Sequence, residues 1–385
     1  MSPEIIRRRV VVLGATGSIG GCTMRVARAL SKKIEIVGLS GRHNKNLLLE
    51  LAQEFPSAHL CAGDETSSAW LSSQLGGRHV LQGDSGLLEL ASLPSSDVVL
   101  VAIVGTAGLK PSLRALECGK DLAVASKEIL VMAGEEVMRV ARHTGSRILP
   151  VDSEHNAIFQ CLEGRDHSTV KRLILTCSGG PFRQATAADL RAVTPEEALR
   201  HPTWEMGRKI SIDSATLFNK GLEMIEAKWL FGIPMEKIDV VIHPQSIIHS
   251  MVEFVDGSIL AQLSSTDMAL PVQFALTYPY RFEGPCEPLD LAALGRLDFE
   301  KPRSDLFPSL DLARRAGSVG GTLPAVLNAA NEAAVDAFLA GKLSFPGIWE
   351  SVARAMDEVP FVEHPTLEEL IAADLAARAA VSDGD

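Results

Sequence analysis

A chain of 385 residues is longer than one ordinary domain and predicts two or three. Its 46% hydrophobic and 22% charged residues describe a soluble globular protein, and a net charge of −11 argues against nucleic acid or anionic membrane as a general partner. Six scattered cysteines without a Cys-x-x-Cys pair exclude a zinc knuckle or disulfide framework, and no run approaches the ~18 apolar residues of a membrane span, so a cytoplasmic protein is expected.

Val10 to Leu13 predicts a buried strand, followed by Gly14-Ala15-Thr16-Gly17-Ser18-Ile19-Gly20 and a helix through Leu30. In that setting backbone N–H groups and the positive helix end cradle a pyrophosphate, with an ordinary strand-to-helix turn as the plain alternative. Ile34 to Leu39 predicts the second strand. An NAD site would end this strand in Asp or Glu for the ribose 2′-hydroxyl. Here Ser40-Gly41-Arg42-His43-Asn44 offers a cation and small donors, which suit the 2′-phosphate of NADP unless Arg42 is only a surface arginine. Strands at Val98 to Val104 and Leu122 to Ala125, with a helix Leu109 to Cys118 between them, continue a βαβ rhythm and predict a mostly parallel, doubly wound sheet. Gly105-Thr106-Ala107-Gly108 and Ser126-Lys127-Glu128 follow strands on the ligand side of such a sheet, which makes Lys127 a candidate for cofactor or substrate contact.

Ile148 to Val151 closes this layer, and a domain boundary falls near residue 150. Asp152-Ser153-Glu154 follows. In an extended segment the i and i+2 carboxylates leave the same face and converge, which a divalent cation or a shared proton stabilises; a solvated turn is the alternative. A strand over 171–178 ends in Ser178-Gly179-Gly180-Pro181-Phe182, a backbone free to approach an anion beside one hydroxyl donor. His201-Pro202-Thr203-Trp204-Glu205-Met206-Gly207 reads as a mobile lid, against simple anchoring of Trp204 in the core. Ser211 to Leu230 predicts a helix with an apolar stripe of Phe218, Leu222, Ile225 and Trp229. Asn219, Lys220 and Glu223 project from its other side, with Ser214 upstream. They offer an amide, an ammonium and a hydroxyl to a phosphate and a carboxylate to a metal, unless Lys220 and Glu223 form only a solvated pair. Val240 to Ile242, Met251 to Val255 and Ser258 to Leu263 predict a small sheet with a hairpin at Asp256-Gly257, where His243 and His249 are expected as satisfied core histidines. The stretch 284–320 reads as irregular. Leu323 to Leu339, Ile348 to Met356 and Leu367 to Ala379 predict a C-terminal helical domain, ahead of a frayed tail from Ser382.

Taken in order, the motifs at 14–20, 150–156, 178–182, 201–207 and 213–223 resemble those of the 1-deoxy-D-xylulose 5-phosphate reductoisomerase family over nearly the whole chain. That resemblance implies an α/β fold: an N-terminal Rossmann-like doubly wound parallel sheet over 1–150 that binds NADPH, and a central α+β catalytic and dimerisation domain over 151–284. A linker over 285–320 and a C-terminal helical domain over 321–385 complete it. It implies a cytoplasmic homodimer of the non-mevalonate isoprenoid pathway that takes a small phosphorylated sugar. Asp152, Glu154 and Glu223 would hold a divalent cation, Mg²⁺ or Mn²⁺ with Co²⁺ as a third candidate, and Lys127 would join them as the catalytic set. Ser153, Lys127 and the acids Glu154 and Glu223 would meet substrate near the metal, while Ser178, His201, Ser214, Asn219 and Lys220 would bind its phosphate end and chain under Trp204 of the lid. Thr16, Gly17, Ser18, Ile19, Gly41, Arg42, Asn44, Ser126, Glu128 and Gly207 would meet NADPH. Ser126 stands where the family usually has Asn, so an altered cofactor contact is expected there.

An all-carboxylate site selects a hard cation, which would act as a Lewis acid on a hydroxyketone before hydride transfer. A plain NADP-dependent dehydrogenase would not need three carboxylates beside a phosphate pocket, and a non-catalytic NADPH-sensing protein would ignore metal.

Overall fold

The computed structural model describes residues 7–204 and 206–382; Glu205 of the expected lid and the tail beyond 382 lie outside the described residues. The chain divides into two compact units. The first comprises Met1–Ile129, Glu135–Asn156 and Asp267–Glu287, and the second Leu130–Gly134, Ala157–Thr266 and Pro288–Asp385.

The first unit is built on seven strands: β1 (Arg8–Leu13), β2 (Ile34–Gly41), β3 (His59–Ala62), β4 (Leu81–Gln82), β5 (Val98–Val101), β6 (Asp121–Val124) and β7 (Ile148–Pro150). All pair in parallel, in the order β4-β3-β2-β1-β5-β6-β7. A parallel sheet is covered on both faces, so its strands read as unbroken apolar runs, and Val10 to Leu13 and Val98 to Val101 are wholly buried. β1 pairs with β2 on one side and β5 on the other, so the strand order reverses there and opens a crevice at the carboxyl ends of these two strands. The expected strand Val98 to Val104 stops at Val101, because Gly105, at a φ of +72°, opens a 3₁₀ turn over Gly105–Gly108.

The second unit holds a mixed sheet of β8 (Val170–Cys177), β9 (Ile238–Ile242), β10 (Ile248–Phe254) and β11 (Ile259–Leu263), in the order β11-β10-β8-β9. The β10–β11 hairpin turns at Asp256-Gly257, where Gly257 has a φ of +86°. Helices Arg208–Thr216, Phe218–Phe231, Ser309–Val319, Leu323–Leu339, Phe345–Glu358 and Leu367–Ser382 share one apolar core with β8, through residues such as Leu173, Phe218, Leu310, Phe338 and Ala377.

Three expectations change. Ser211 to Leu230 is two helices, because Leu217 takes a left-handed φ of +65° between them. Its polar side is buried as well: Lys220 is 2% and Glu223 0% exposed, which removes the solvated-pair reading. The stretch 284–320 contains the helix Ser309–Val319, packed so tightly on Phe218–Phe231 that a side chain on Gly221 would lie 2.7 Å from Ala313 Cβ. No helix of the described residues is long and apolar enough to cross a membrane.

Candidate active site

In the first unit, the turn after β1 is closed by backbone. Gly14 N–H donates to Ser40 Oγ at 3.0 Å and Ala15 N–H to Ser40 O at 2.8 Å. A side chain on Gly14 would overlap the Ala102 carbonyl and one on Gly20 the Ala15 carbonyl, so both positions require glycine. Gly17 caps helix Ser18–Ala29 without a side chain, and no acid sits in the first turn. The N–H groups of Ser18 and Ile19 therefore face outward at the positive helix end. Gly41 is equally constrained, since a Cβ there would lie 2.8 Å from Thr16 Cγ2. Arg42 and His43 are exposed just beyond. Asn44 spends its side chain as the cap of helix Lys45–Glu54, accepting from Leu47 N–H at 3.0 Å.

At the ends of β6 and β7, Ser126 Oγ donates to the Ile103 carbonyl at 2.5 Å, which ties this turn to the one after β5. Glu128 opens helix Glu128–Thr144. Lys127 Nζ lies 2.5 Å from Asp152 Oδ2, and both side chains are largely buried. Asp152 and Glu154 do not sit on an extended strand: a helix begins at Ser153, with Asn156 N–H donating to Asp152 O at 2.9 Å. The two acids thus occupy a helix N-terminus, which favours negative charge. Burial pushes the Asp152 carboxyl up, but the Lys127 ammonium, the His155 ring and hydrogen bonds with Glu154 and Lys127 outweigh it and hold Asp152 well below the usual carboxylate range. Ser153 Oγ donates to Glu154 Oε2 at 2.6 Å, so the serine orients the acid beside it.

In the second unit, β8 delivers Ser178 to a loop where Gly179 and Gly180 have φ of +81° and +67°. A Cβ on Gly180 would be 2.8 Å from the Ser214 carbonyl, so the loop lies directly on helix Arg208–Thr216. His201 Nδ1 accepts from the backbone N–H groups of Thr203 at 3.2 Å and Trp204 at 3.0 Å. Two donors on Nδ1 assign the proton to Nε2, which donates to Ser178 Oγ at 3.0 Å. Burial pushes the His201 ring down to about 4, so it is neutral at pH 7. Ser178 Oγ also accepts from Gly180 N–H at 3.2 Å, which leaves its own proton to donate outward. Trp204 stands with its ring 6.5 Å from that of His249. Gly207 caps helix Arg208–Thr216.

Ser214 ends one helix and Asn219 and Lys220 begin the next, whose cap, Leu217, brings no side-chain hydrogen bond. Phe218 N–H points to Thr216 Oγ1 at 3.5 Å, and the positive end of helix Phe218–Phe231 stands beside an amide and an ammonium. Glu223 accepts from Asn219 Nδ2 at 2.6 Å and pairs with Lys220 Nζ at 2.5 Å, so both carboxylate oxygens are oriented. Glu226, one turn on and wholly buried, escaped the sequence reading although its i+3 spacing from Glu223 put it on the same face. His243 is satisfied, with Nδ1 donating to Asp298 O at 2.9 Å and Nε2 accepting from Ile247 N–H at 3.1 Å, and His249 Nε2 lies 2.9 Å from Ser264 Oγ.

Comparison with known proteins covers the same ground. Residues 10–134 match the family model for 1-deoxy-D-xylulose 5-phosphate reductoisomerase, residues 148–231 its C-terminal domain model, and residues 263–380 a further DXP reductoisomerase C-terminal domain model. A protein of that name from Symbiobacterium thermophilum is 50% identical over 384 residues, spanning 98% of this chain and 99% of the relative. One from Pseudomonas putida is 47% identical, spanning 96% of each. The Zymomonas mobilis enzyme, solved with NADPH, superposes with a TM-score of 0.92 at 43% identity over 98% of this chain and 99% of its own. A DOX-P reductoisomerase solved with NADPH, fosmidomycin and magnesium gives 0.92 at 42% identity over 98% of each.

Proposed function

The chain belongs to the 1-deoxy-D-xylulose 5-phosphate reductoisomerase family, and from that premise we propose that it converts 1-deoxy-D-xylulose 5-phosphate to 2-C-methyl-D-erythritol 4-phosphate. It is an NADPH- and divalent-metal-dependent oxidoreductase of the non-mevalonate isoprenoid route. The observation that carries this is the 50% identity over 384 residues with a relative of that name.

For the cation the ligand set is Asp152, Glu154 and Glu223. The donor chemistry fits: all are carboxylate oxygens, which suit Mg²⁺ or Mn²⁺. Asp152 is kept ionised by Lys127, and Glu223 is oriented by Asn219 and Lys220. When bound, the cation supplies a Lewis acid and NADPH a hydride. The turn Thr16 to Ile19, with Gly41 and Arg42, would hold the cofactor phosphates; Ser126, Glu128 and Gly207 would complete that set, and Asn44 would do so only through backbone, since its side chain is a helix cap.

The chain's own groups orient the substrate. Ser178 donates its proton to the phosphate, with Ser214, Asn219, Lys220 and the N–H groups of helix Phe218–Phe231 beside it. Each charge-assisted hydrogen bond contributes about 1.5–3 kcal/mol, and this remote grip positions the reacting carbons. His201 fixes the Ser178 hydroxyl and, through Thr203 and Trp204, ties it to the lid that excludes water. Lys127, beside Asp152, would donate to the substrate's oxygens, while the Ser153 hydroxyl, whose proton goes to Glu154, would meet the substrate as an acceptor.

We assign 1–150 to cofactor binding, 151–284 to catalysis and dimerisation, though Asp267–Glu287 packs with the first unit, and 321–385 to support, reached through 285–320, whose helix Ser309–Val319 packs in the second unit's core. Cytoplasmic residence fits six free cysteines, and a homodimer fits the partly exposed edge strand β11. The direct test follows NADPH absorbance with the deoxyxylulose phosphate, with and without EDTA, and identifies the product by ¹³C NMR. Reduction without a branched carbon skeleton would make this a plain dehydrogenase.

A further inference from the structure

Asp213 sits one residue before Ser214 and is 1% exposed. Lys209 Nζ lies 2.6 Å from its Oδ2, and Asn331 Nδ2 donates to its Oδ1 at 2.8 Å. Asn331 belongs to helix Leu323–Leu339, 118 residues further along the chain, and is 0% exposed. Both Asp213 oxygens face donors, so the Asn331 amide turns its N–H end toward them. The opposite end of that amide, Asn331 Oδ1, is buried without a partner among the described residues. A side chain that leaves its acceptor unsatisfied in order to aim its donor is held for that one contact.

The contact lies where the backbone is strained. Leu217, four residues past Asp213, is a non-glycine residue in the left-handed region, and such a conformation persists only when its surroundings over-determine it. Leu217 N–H reaches back to Ser214 O at 3.3 Å, and Gly180 abuts the same carbonyl. The elbow between the two helices therefore sets where Ser214 stands against Ser178, Asn219 and Lys220. We propose that Asp213 and Asn331 are positioning residues: the C-terminal helix Leu323–Leu339 holds the elbow, and through it the donors that grip the substrate's phosphate. This rests on the phosphate-binding role given to those donors above.

Three proteins test it: Asn331→Leu, which keeps the volume and removes the donor; Asp213→Asn; and the swap Asp213→Asn/Asn331→Asp, which restores a donor–acceptor pair with the roles exchanged. Inorganic phosphate binding is measured by calorimetry, NADPH binding by fluorescence, and substrate turnover alongside. In Asn331→Leu and Asp213→Asn the phosphate Kd and substrate KM rise about tenfold, kcat falls by less than that, and the NADPH Kd stays put. The swap recovers most of the loss. Unchanged phosphate Kd in a folded single variant, or a loss of phosphate and NADPH binding together, overturns the tether. If the single variants do not fold, the swap decides: a folded swap with wild-type phosphate affinity supports it, and a swap that is also unfolded or binds no phosphate overturns it. Wild-type protein that binds phosphate but does not turn over the substrate leaves the tether standing and sinks the function proposed above.

Discussion

At the residue scale the decisive groups are those whose protonation the fold controls. His201 has its pKa lowered from 6.5 to about 4 by burial, so the unfolded chain takes up a proton before the native one does. Its contribution to stability is whole above pH 6.5 and is lost as pH falls toward 4, by about 1–2 kcal/mol once its partial exposure is discounted. Urea melts at pH 7 and pH 5 should differ by part of that in the wild type and less in His201→Gln. An NMR titration should find the His201 ring neutral down to pH 5. For the acids, Glu154→Gln and Glu223→Gln should each lower kcat by at least about 10³ while NADPH binding, read by fluorescence, stays nearly intact. Wild-type-like rates in either would remove it from the ligand set. Arg42→Ala should weaken NADPH by roughly tenfold and leave NADH nearly unaffected, in line with one lost charge-assisted contact to a 2′-phosphate.

At the element scale, the glycine turn makes a sharp demand. Gly20→Ala drives a methyl into the Ala15 carbonyl, backbone that cannot rotate away, so it should cost about 1–3 kcal/mol in chemical denaturation and raise the NADPH Kd with it. Much at this scale was legible. Strands β1, β2 and β5 announce themselves as apolar runs, and Leu323–Leu339 by its helical length. The failures have physical causes. β4 is two residues long and carries no pattern to read. The helix Ser309–Val319 hides behind the prolines and glycines on both sides of it, although Leu310, Ala313 and Ala316 are all buried in the core. The two-residue spacing of Asp152 and Glu154 suggested a strand, whereas Ser153 starts a helix. Leu217 gave no warning either, because its left-handed φ is imposed by packing and not by any local preference of leucine.

At the scale of the whole molecule, EDTA should abolish turnover and leave NADPH binding, with Mg²⁺ or Mn²⁺ restoring the rate. Light scattering on a sizing column should return twice the monomer mass; a single-chain mass would remove the dimer from the proposal. Site residues in the two units differ in how they announced themselves. The proposed cofactor turn and the acid pair stand out by residue type. The work of Asp213, Asn331 and the His201 tautomer depends on contacts between residues two to more than a hundred positions apart, which only a folded chain reveals.

Ser178, His201, Ser214, Asn219 and Lys220 all belong to the second unit, and the glycine turn with Arg42 to the first. On the roles proposed above, a chemist building an inhibitor can start from two separate fragments, an anionic head group and an adenine-ribose mimic, and optimise each in its own screen.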